Sequence, residues 1–295
     1  MGGGNSTPEP PNLLTDQPWR QPADWNHWLE KQLMKEIKEI IPNGRPNLLT
    51  AGPVGSGKSS FINAIYSIGE NTKVQPAKSG SSASSYTVMY KGYTQKDTPQ
   101  KQKRLLEHFI LRDTMGVEPK DGAGFHVDDF VYLVRGNIKD TYMFNPAAPI
   151  KRGDGHFSDP PNPDSVIHCV IFVISAVDVY NYIPEGYIRK IGQLQDKLRL
   201  EGVPRILILT KADQLCEEVN DNIKLLFRSV KVQKAVKKAS EIFQIDQASI
   251  HPVVNYEVDY TLTPEQNIPL LLALKQGMKY AELQKKQLED DDDIP

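Results

Sequence analysis

The sequence predicts an α/β fold of about six mostly parallel strands with helices on both faces. Three observations carry that expectation. The stretch "GPVGSGKSS" (52–60) meets the phosphate-loop pattern G-x-x-x-x-G-K-[ST] through Gly52, Gly57, Lys58 and Ser59. An apolar run bounded by Pro46 and Gly52 precedes it, and a segment with Phe61, Ile62, Ile65 and Ile68 at helical spacing follows, so strand, loop and helix are all present. Beyond them, short apolar runs alternate with helical patterns, as a doubly wound sheet requires.

Taken in order, residues 1–22 are rich in Gly, Pro, Ser and Asn and read as a flexible leader. From Trp25 to Ile41 the positions Trp25, Trp28, Leu29, Leu33, Ile37 and Ile40 recur at three and four residues, which makes an amphipathic helix. "PNLLTA" is the first strand and "KSSFINAIYSI" the first helix of the sheet. A serine-rich loop leads into a strand near Tyr86 to Tyr93, and "HFILRD" ends a third at Asp113. "VIHCVIFVIS" (166–175) has the near-continuous apolar character of a parallel sheet centre. "RILILT" (205–210) and "IHPVVNY" (250–256) complete the set, with helical patterns at about 183–200, 218–243 and 267–287. An insertion at about 117–164 holds the helix "VDDFVYLVRGNI" and the Pro-rich "DPPNPD"; residues 23–288 thus form one domain, and 289–295 an acidic, solvated tail.

In such a sheet the chemistry belongs at the carboxyl ends of the strands. A loop that wraps polyphosphate turns successive N–H groups inward, which Gly55 and Gly57 permit without a Cβ penalty. Lys58 supplies charge to the β and γ phosphates, Ser59 a hydroxyl to Mg²⁺, and the following helix the positive end of its dipole. After the third strand, Asp113-Thr114-Met115-Gly116 is a D-x-x-G: the carboxylate holds Mg²⁺ through water and the glycine N–H approaches the γ-phosphate. After the fifth, Thr210-Lys211-Ala212-Asp213 places a carboxylate where guanine N1 and N2 can donate to it, with the Lys211 stem across the base. Together the motifs specify a P-loop NTPase G domain. The candidate nucleotide-binding set is Gly52, Pro53, Val54, Gly55, Ser56, Gly57, Lys58, Ser59, Ser60, Asp113, Gly116, Lys211, Asp213 and Asn255. Metal candidates are Ser59, Asp113 and, in the serine-rich loop, Thr87. A small-molecule kinase with the same loop has no reason to carry "TKAD".

Several classes are set aside. A net charge of −2 gives no basic footprint for nucleic acid, and Arg228, Lys231, Lys234, Lys237 and Lys238 read as a solvated helix face. Neither an 18-residue apolar run nor a secretory signal is visible, and Cys169 and Cys216 make no disulfide framework, so a reduced cytoplasmic protein is expected. The six histidines show no metal spacing, and the Asn5 sequon and the "RGD" at 152–154 read as accidents. Met1-Gly2-Gly3-Gly4-Asn5-Ser6 fits the acceptor pattern for myristoylation at Gly2, which by itself gives at most transient membrane contact.

"GPVGSGKSSFINAI", "LRDTMGV", "DDFVYLVRGNIKDTYMFNP", "IHCVIFVIS" and "VVNYEVD…LLLALKQGMKYA" together resemble the interferon-induced protein 44 family, over about residues 18–288. "GNIKDTYMFNP" is the most specific part. The resemblance implies a cytoplasmic, interferon-induced GTP-binding domain with an antiviral or antiproliferative role. Whether GTP is hydrolysed is a separate question, because Val117 stands where small GTPases carry a water-orienting glutamine. No catalytic residue is assigned. Two readings stay open: a slow GTPase acting as switch or assembly module, and a non-hydrolysing, GTP-stabilised interaction or scaffold protein of innate immunity. The expected partners are GTP or GDP with Mg²⁺, unidentified proteins and a second copy in a nucleotide-dependent homodimer.

Overall fold

The computed structural model describes residues 13–21, 25–40, 44–77, 88–94, 104–120, 122–256 and 261–292. Runs of aliphatic residues form the strands β1 (Asn47–Ala51), β2 (Lys91–Tyr93), β3 (Ile110–Asp113), β4 (Ile167–Ser175), β5 (Arg205–Thr210) and β6 (Ile250–Pro252). Their order in the sheet is β2-β3-β1-β4-β5-β6, with β2 antiparallel to β3 and the remaining pairs parallel. Every residue of β1 and β4 is buried, so both faces are covered, as continuous apolar strands demand. The α/β class with a six-stranded, mostly parallel sheet is therefore observed.

Helix α1 (His27–Ile40) packs on the C-terminal helix, and α2 (Lys58–Glu70) follows the phosphate loop. α3 (Asp129–Val134) lies in the insertion; α4 (Ala176–Asn181) and α5 (Glu185–Leu200) link β4 to β5. Short helices α6 (Ala212–Leu215) and α7 (Glu217–Asp221) precede α8 (Val230–Phe243), and α9 (Pro264–Asp292) closes the chain. Leu48, Ile171 and Ile206 reach Gly277 of α9, which fixes that helix over the centre of the sheet. Among the described residues no helix is long and apolar enough to cross a membrane.

Several boundaries differ from the sequence reading, each for a local reason. Residues 13–21 are not a free leader: Thr15 N–H donates to Arg228 O at 2.8 Å, Trp19 N–H to Phe227 O at 2.9 Å, and Val230 N–H to Leu13 O at 3.0 Å. Trp19 meets Phe227 edge-on, and the Arg20 guanidinium donates to the carbonyls of Gln247 and Ile250. The helix expected over 218–243 is interrupted between α7 and α8, because the Ser229 hydroxyl accepts from Val232 N–H and caps α8. Arg228 consequently leaves the basic face and donates to Thr15 O. The expected strand at 250–256 stops at Pro252, and that at Tyr86–Tyr93 is reduced to Lys91–Tyr93, with residues 86 and 87 outside the described set. The third strand begins at Ile110 rather than His108, and the insertion helix is only Asp129–Val134. At the other end, α9 runs on to Asp292 through the start of the acidic run, with Lys285–Glu289 and Lys286–Glu282 four residues apart on its surface.

The segment "GNIKDTYMFNP" acts as a lock between insertion and sheet. Buried Arg112 of β3 donates to Asp140, and Tyr142 donates through its hydroxyl to buried Asp129 at 3.0 Å, whose second oxygen accepts Ile150 N–H at 2.7 Å. Residues 88–90 pair with 141–144 through backbone hydrogen bonds. That segment is thus structural, remote from the loop at 52–60 in role.

Candidate functional site

The phosphate loop leaves β1 at Gly52 and enters α2 at Lys58. Gly55 and Gly57 hold φ of 72° and 93°, the left-handed region that a side chain would strain. Gly57 also has a neighbour: a Cβ there would lie 3.1 Å from Asn255 Nδ2 and 3.4 Å from Thr210 Cγ2. At Gly55 a Cβ would meet nothing within 4 Å, so the tip of the loop opens onto space.

Lys58 is buried, and its Nζ donates to the carbonyls of Gly52 at 3.1 Å and Pro53 at 2.9 Å. Burial draws the ammonium from 10.5 down to about 8, against the pull of Asp113 in the other direction. In the next residue, Ser59 Oγ donates to Asp113 Oδ2 at 2.8 Å. The other carboxylate oxygen is held by Thr50 Oγ1 at 3.2 Å, and Thr114 Oγ1 donates to Thr50 O at 2.8 Å. The start of α2 and the end of β3 therefore bring together a hydroxyl and a carboxylate, the hard-oxygen set that a Mg²⁺ ion takes.

The third motif reaches the same place from β5. Thr210 Oγ1 donates to Ser56 O at 2.6 Å, tying "TKAD" to the phosphate loop. Lys211 follows with φ of 59° and starts α6, whose first turn contains Asp213. Asn255 lies three residues past β6 and donates through Nδ2 to Gly57 O at 3.3 Å. Among the described residues, the buried oxygens Ser56 Oγ and Asn255 Oδ1 have no hydrogen-bond partner. Buried polar atoms are ordinarily hydrogen-bonded, and a polar ligand or an ordered water seated here would satisfy both. An open loop tip, a desolvated lysine, a hydroxyl–carboxylate pair and two orphaned oxygens at one sheet edge fit a Mg²⁺-bound nucleotide.

Most of the residues singled out in the sequence thus converge. Thr87 and Gly2 lie outside the described residues. Thr50 and Thr210 were missed as individual contributors, although a polar residue inside a buried strand is a visible signal. The sequence marks Val117 only by the glutamine it lacks; in the structure it is buried and its backbone pairs with the phosphate loop. Lys190 of α5 was missed altogether: it is buried and its Nζ donates to Lys120 O at 2.6 Å and Ala123 O at 3.2 Å, clamping the loop after D-x-x-G.

No family model matches the chain. Among curated proteins, interferon-induced protein 44-like of Homo sapiens is 34% identical over 255 residues, which are 85% of this chain and 56% of that protein. Interferon-induced protein 44 of Homo sapiens is 30% identical over 251 residues, 84% of this chain and 55% of that protein. The chain spans little more than half the length of the curated relatives it matches. Among solved structures, Toc33 from Arabidopsis thaliana covers 88% of this chain and 93% of its own at 14% identity and a TM-score of 0.49, a distant likeness.

Proposed function

Across the shared segment this chain belongs to the interferon-induced protein 44 family, and on that premise we propose that it is a guanine-nucleotide-binding protein in which bound nucleotide organises the surface offered to protein partners. The observation that carries the proposal is the meeting of three strand ends at the phosphate loop: Asp113 of β3 on Ser59, Thr210 of β5 on Ser56, and Asn255, just past β6, on Gly57, with Lys58 buried beneath. Lys58 gives charge to the phosphates, and the loop N–H groups cradle them. Ser59 and Asp113 hold Mg²⁺, whose role when bound is to neutralise phosphate charge. Asp213 accepts from the guanine edge, and Asn255 Oδ1 takes a donor from the nucleotide. Interferon induction, which the relatives' names carry, extends the proposal to cytoplasmic innate defence. A nucleotide-dependent homodimer is its simplest assembly.

Of the two readings, the burial of Val117 favours the non-hydrolysing interaction protein over the turnover enzyme. Its side chain is 2% exposed and apolar, so it orients no water. Thermal unfolding with GTP, GDP, ATP or no nucleotide tests the binding reading. A ligand at a hundredfold over its Kd stabilises by about 2.7 kcal/mol, so guanine nucleotides raise Tm by several degrees and ATP leaves it unchanged. Equal shifts with ATP, or none with any nucleotide, overturn it.

A further inference from the structure

The residues that follow the D-x-x-G motif are tied into the phosphate loop itself. Thr50 pairs with Asp113 in the β1–β3 ladder, and beyond the strands the pairing resumes. Val117 N–H donates to Gly52 O at 2.9 Å, Val54 N–H donates to Val117 O at 3.1 Å, and Pro53 bridges Val117 in parallel. Gly116 is thereby pressed against the loop: a Cβ on it would lie 2.5 Å from Val54 Cγ2, 2.9 Å from Val54 Cα and 3.0 Å from Val54 N. Backbone meets backbone there, with the Val54 isopropyl group alongside.

Gly116 is the residue whose N–H a third phosphate has to meet. Two backbones in van der Waals contact leave no room for a phosphoryl group between them. The Val54 N–H is already committed to Val117 O rather than turned toward an anion. The tip of the cradle stays open, since a Cβ on Gly55 would meet nothing within 4 Å.

The staple is supported from behind. Val117 also bridges Gly124 in antiparallel fashion, and Lys190 Nζ holds the carbonyls of Lys120 and Ala123. Gly186 of α5 comes so near that a Cβ on it would lie 2.4 Å from Pro119 O. The loop after D-x-x-G is therefore clamped between the phosphate loop on one side and α5 on the other.

We infer that the site is built for a nucleoside diphosphate: GDP is the nucleotide this conformation holds, and a triphosphate enters only when the Val117–Val54 staple lets go. The inference rests on the guanine-nucleotide reading above. Its test is titration calorimetry of the full chain with Mg²⁺, using GDP and a non-hydrolysable imido analogue of GTP. The wild-type protein binds GDP at least about tenfold tighter, a ratio equivalent to about 1.4 kcal/mol. In Val117→Pro, which removes the N–H that Gly52 O accepts, and separately in Lys190→Met, which loosens the clamp without touching the loop at 52–60, the ratio falls toward one. Binding of neither nucleotide overturns the guanine-nucleotide reading itself. Binding of both with equal affinity, or a tighter triphosphate, leaves that reading standing and overturns the diphosphate assignment. A wild-type preference for GDP that persists in both variants shows that the staple is not its cause and overturns the mechanism.

Discussion

Lys58→Met separates what this lysine does for the nucleotide from what it costs the fold. In the wild-type protein without ligand, a charged ammonium is buried against two carbonyls, with its proton affinity lowered from 10.5 to about 8 by burial. At about 1.36 kcal/mol per pH unit, that drop corresponds to roughly 3 kcal/mol of unfavourable burial at neutral pH. Methionine fills a similar volume and carries no charge. The carbonyls left behind keep partners, because Gly52 O still accepts Val117 N–H and Pro53 O still accepts Ser56 N–H. Asp113 likewise keeps the hydroxyls of Ser59 and Thr50. The variant without nucleotide is therefore more stable at pH 7 by about 1–3 kcal/mol, in the way that replacing a buried charge by an apolar side chain stabilises.

The pH dependence carries the sign. The folded state releases the Lys58 proton near pH 8 and the unfolded chain near 10.5, so between those values the unfolded chain holds more protons. Wild-type stability gains from this group as pH rises through that window. Lys58→Met lacks the gain, so its advantage is largest at pH 7 and shrinks by pH 9.5. Urea unfolding at both pH values, read by tryptophan fluorescence, measures the gap, and a GDP thermal shift measures the binding lost. A variant that is less stable than wild type at pH 7 without nucleotide refutes the reasoning.

Thr210→Val keeps the shape of a fully buried side chain and strands Ser56 O, so it lowers stability by about 1–3 kcal/mol and weakens nucleotide binding; an unchanged urea midpoint counts against it. Asp213→Asn shifts preference from guanine toward xanthine nucleotides in competition binding, since the amide offers a donor where xanthine has a carbonyl; wild-type binding of ATP on a par with GTP rules the assignment out. Val117→Gln, the substitution that restores the small-GTPase residue, places a polar side chain in a buried position and lowers Tm, by roughly 2–4 °C per kcal/mol in a domain of this size, without raising phosphate release; a gain in turnover contradicts the observed burial. Arg20→Met removes the donors to Gln247 and Ile250 and frees the strap at 13–21, so amide protection at Trp19 and Val230 falls in hydrogen exchange; unchanged protection shows that the strap holds without it.

Residue identities alone set the class of fold and most of the candidate site. Aliphatic runs long enough to be buried on both faces have few alternatives to a covered parallel sheet, and β1, β4 and β5 fall where those runs lie. The phosphate loop was legible because its chemistry is local: glycines at left-handed angles, a lysine and a serine at fixed spacing report themselves without a partner elsewhere. Boundaries were legible only where one residue type enforces them. Ser229, which ends one turn and caps the next helix, looks like any other serine until Val232 N–H is seen on it. Relations between distant segments came only with packing. The docking of 13–21 on 227–230 is made by main-chain groups and by Trp19 on Phe227, and backbone pairing leaves no trace in residue type. The same holds for Val117, whose side chain announces a missing glutamine while its N–H and carbonyl close the phosphate loop, and for Lys190, one lysine among many until burial places its ammonium on the carbonyls of Lys120 and Ala123. Side-chain identity encodes local conformation and burial, but any backbone offers the same donor and acceptor, so which of them meet is settled only when the chain is packed.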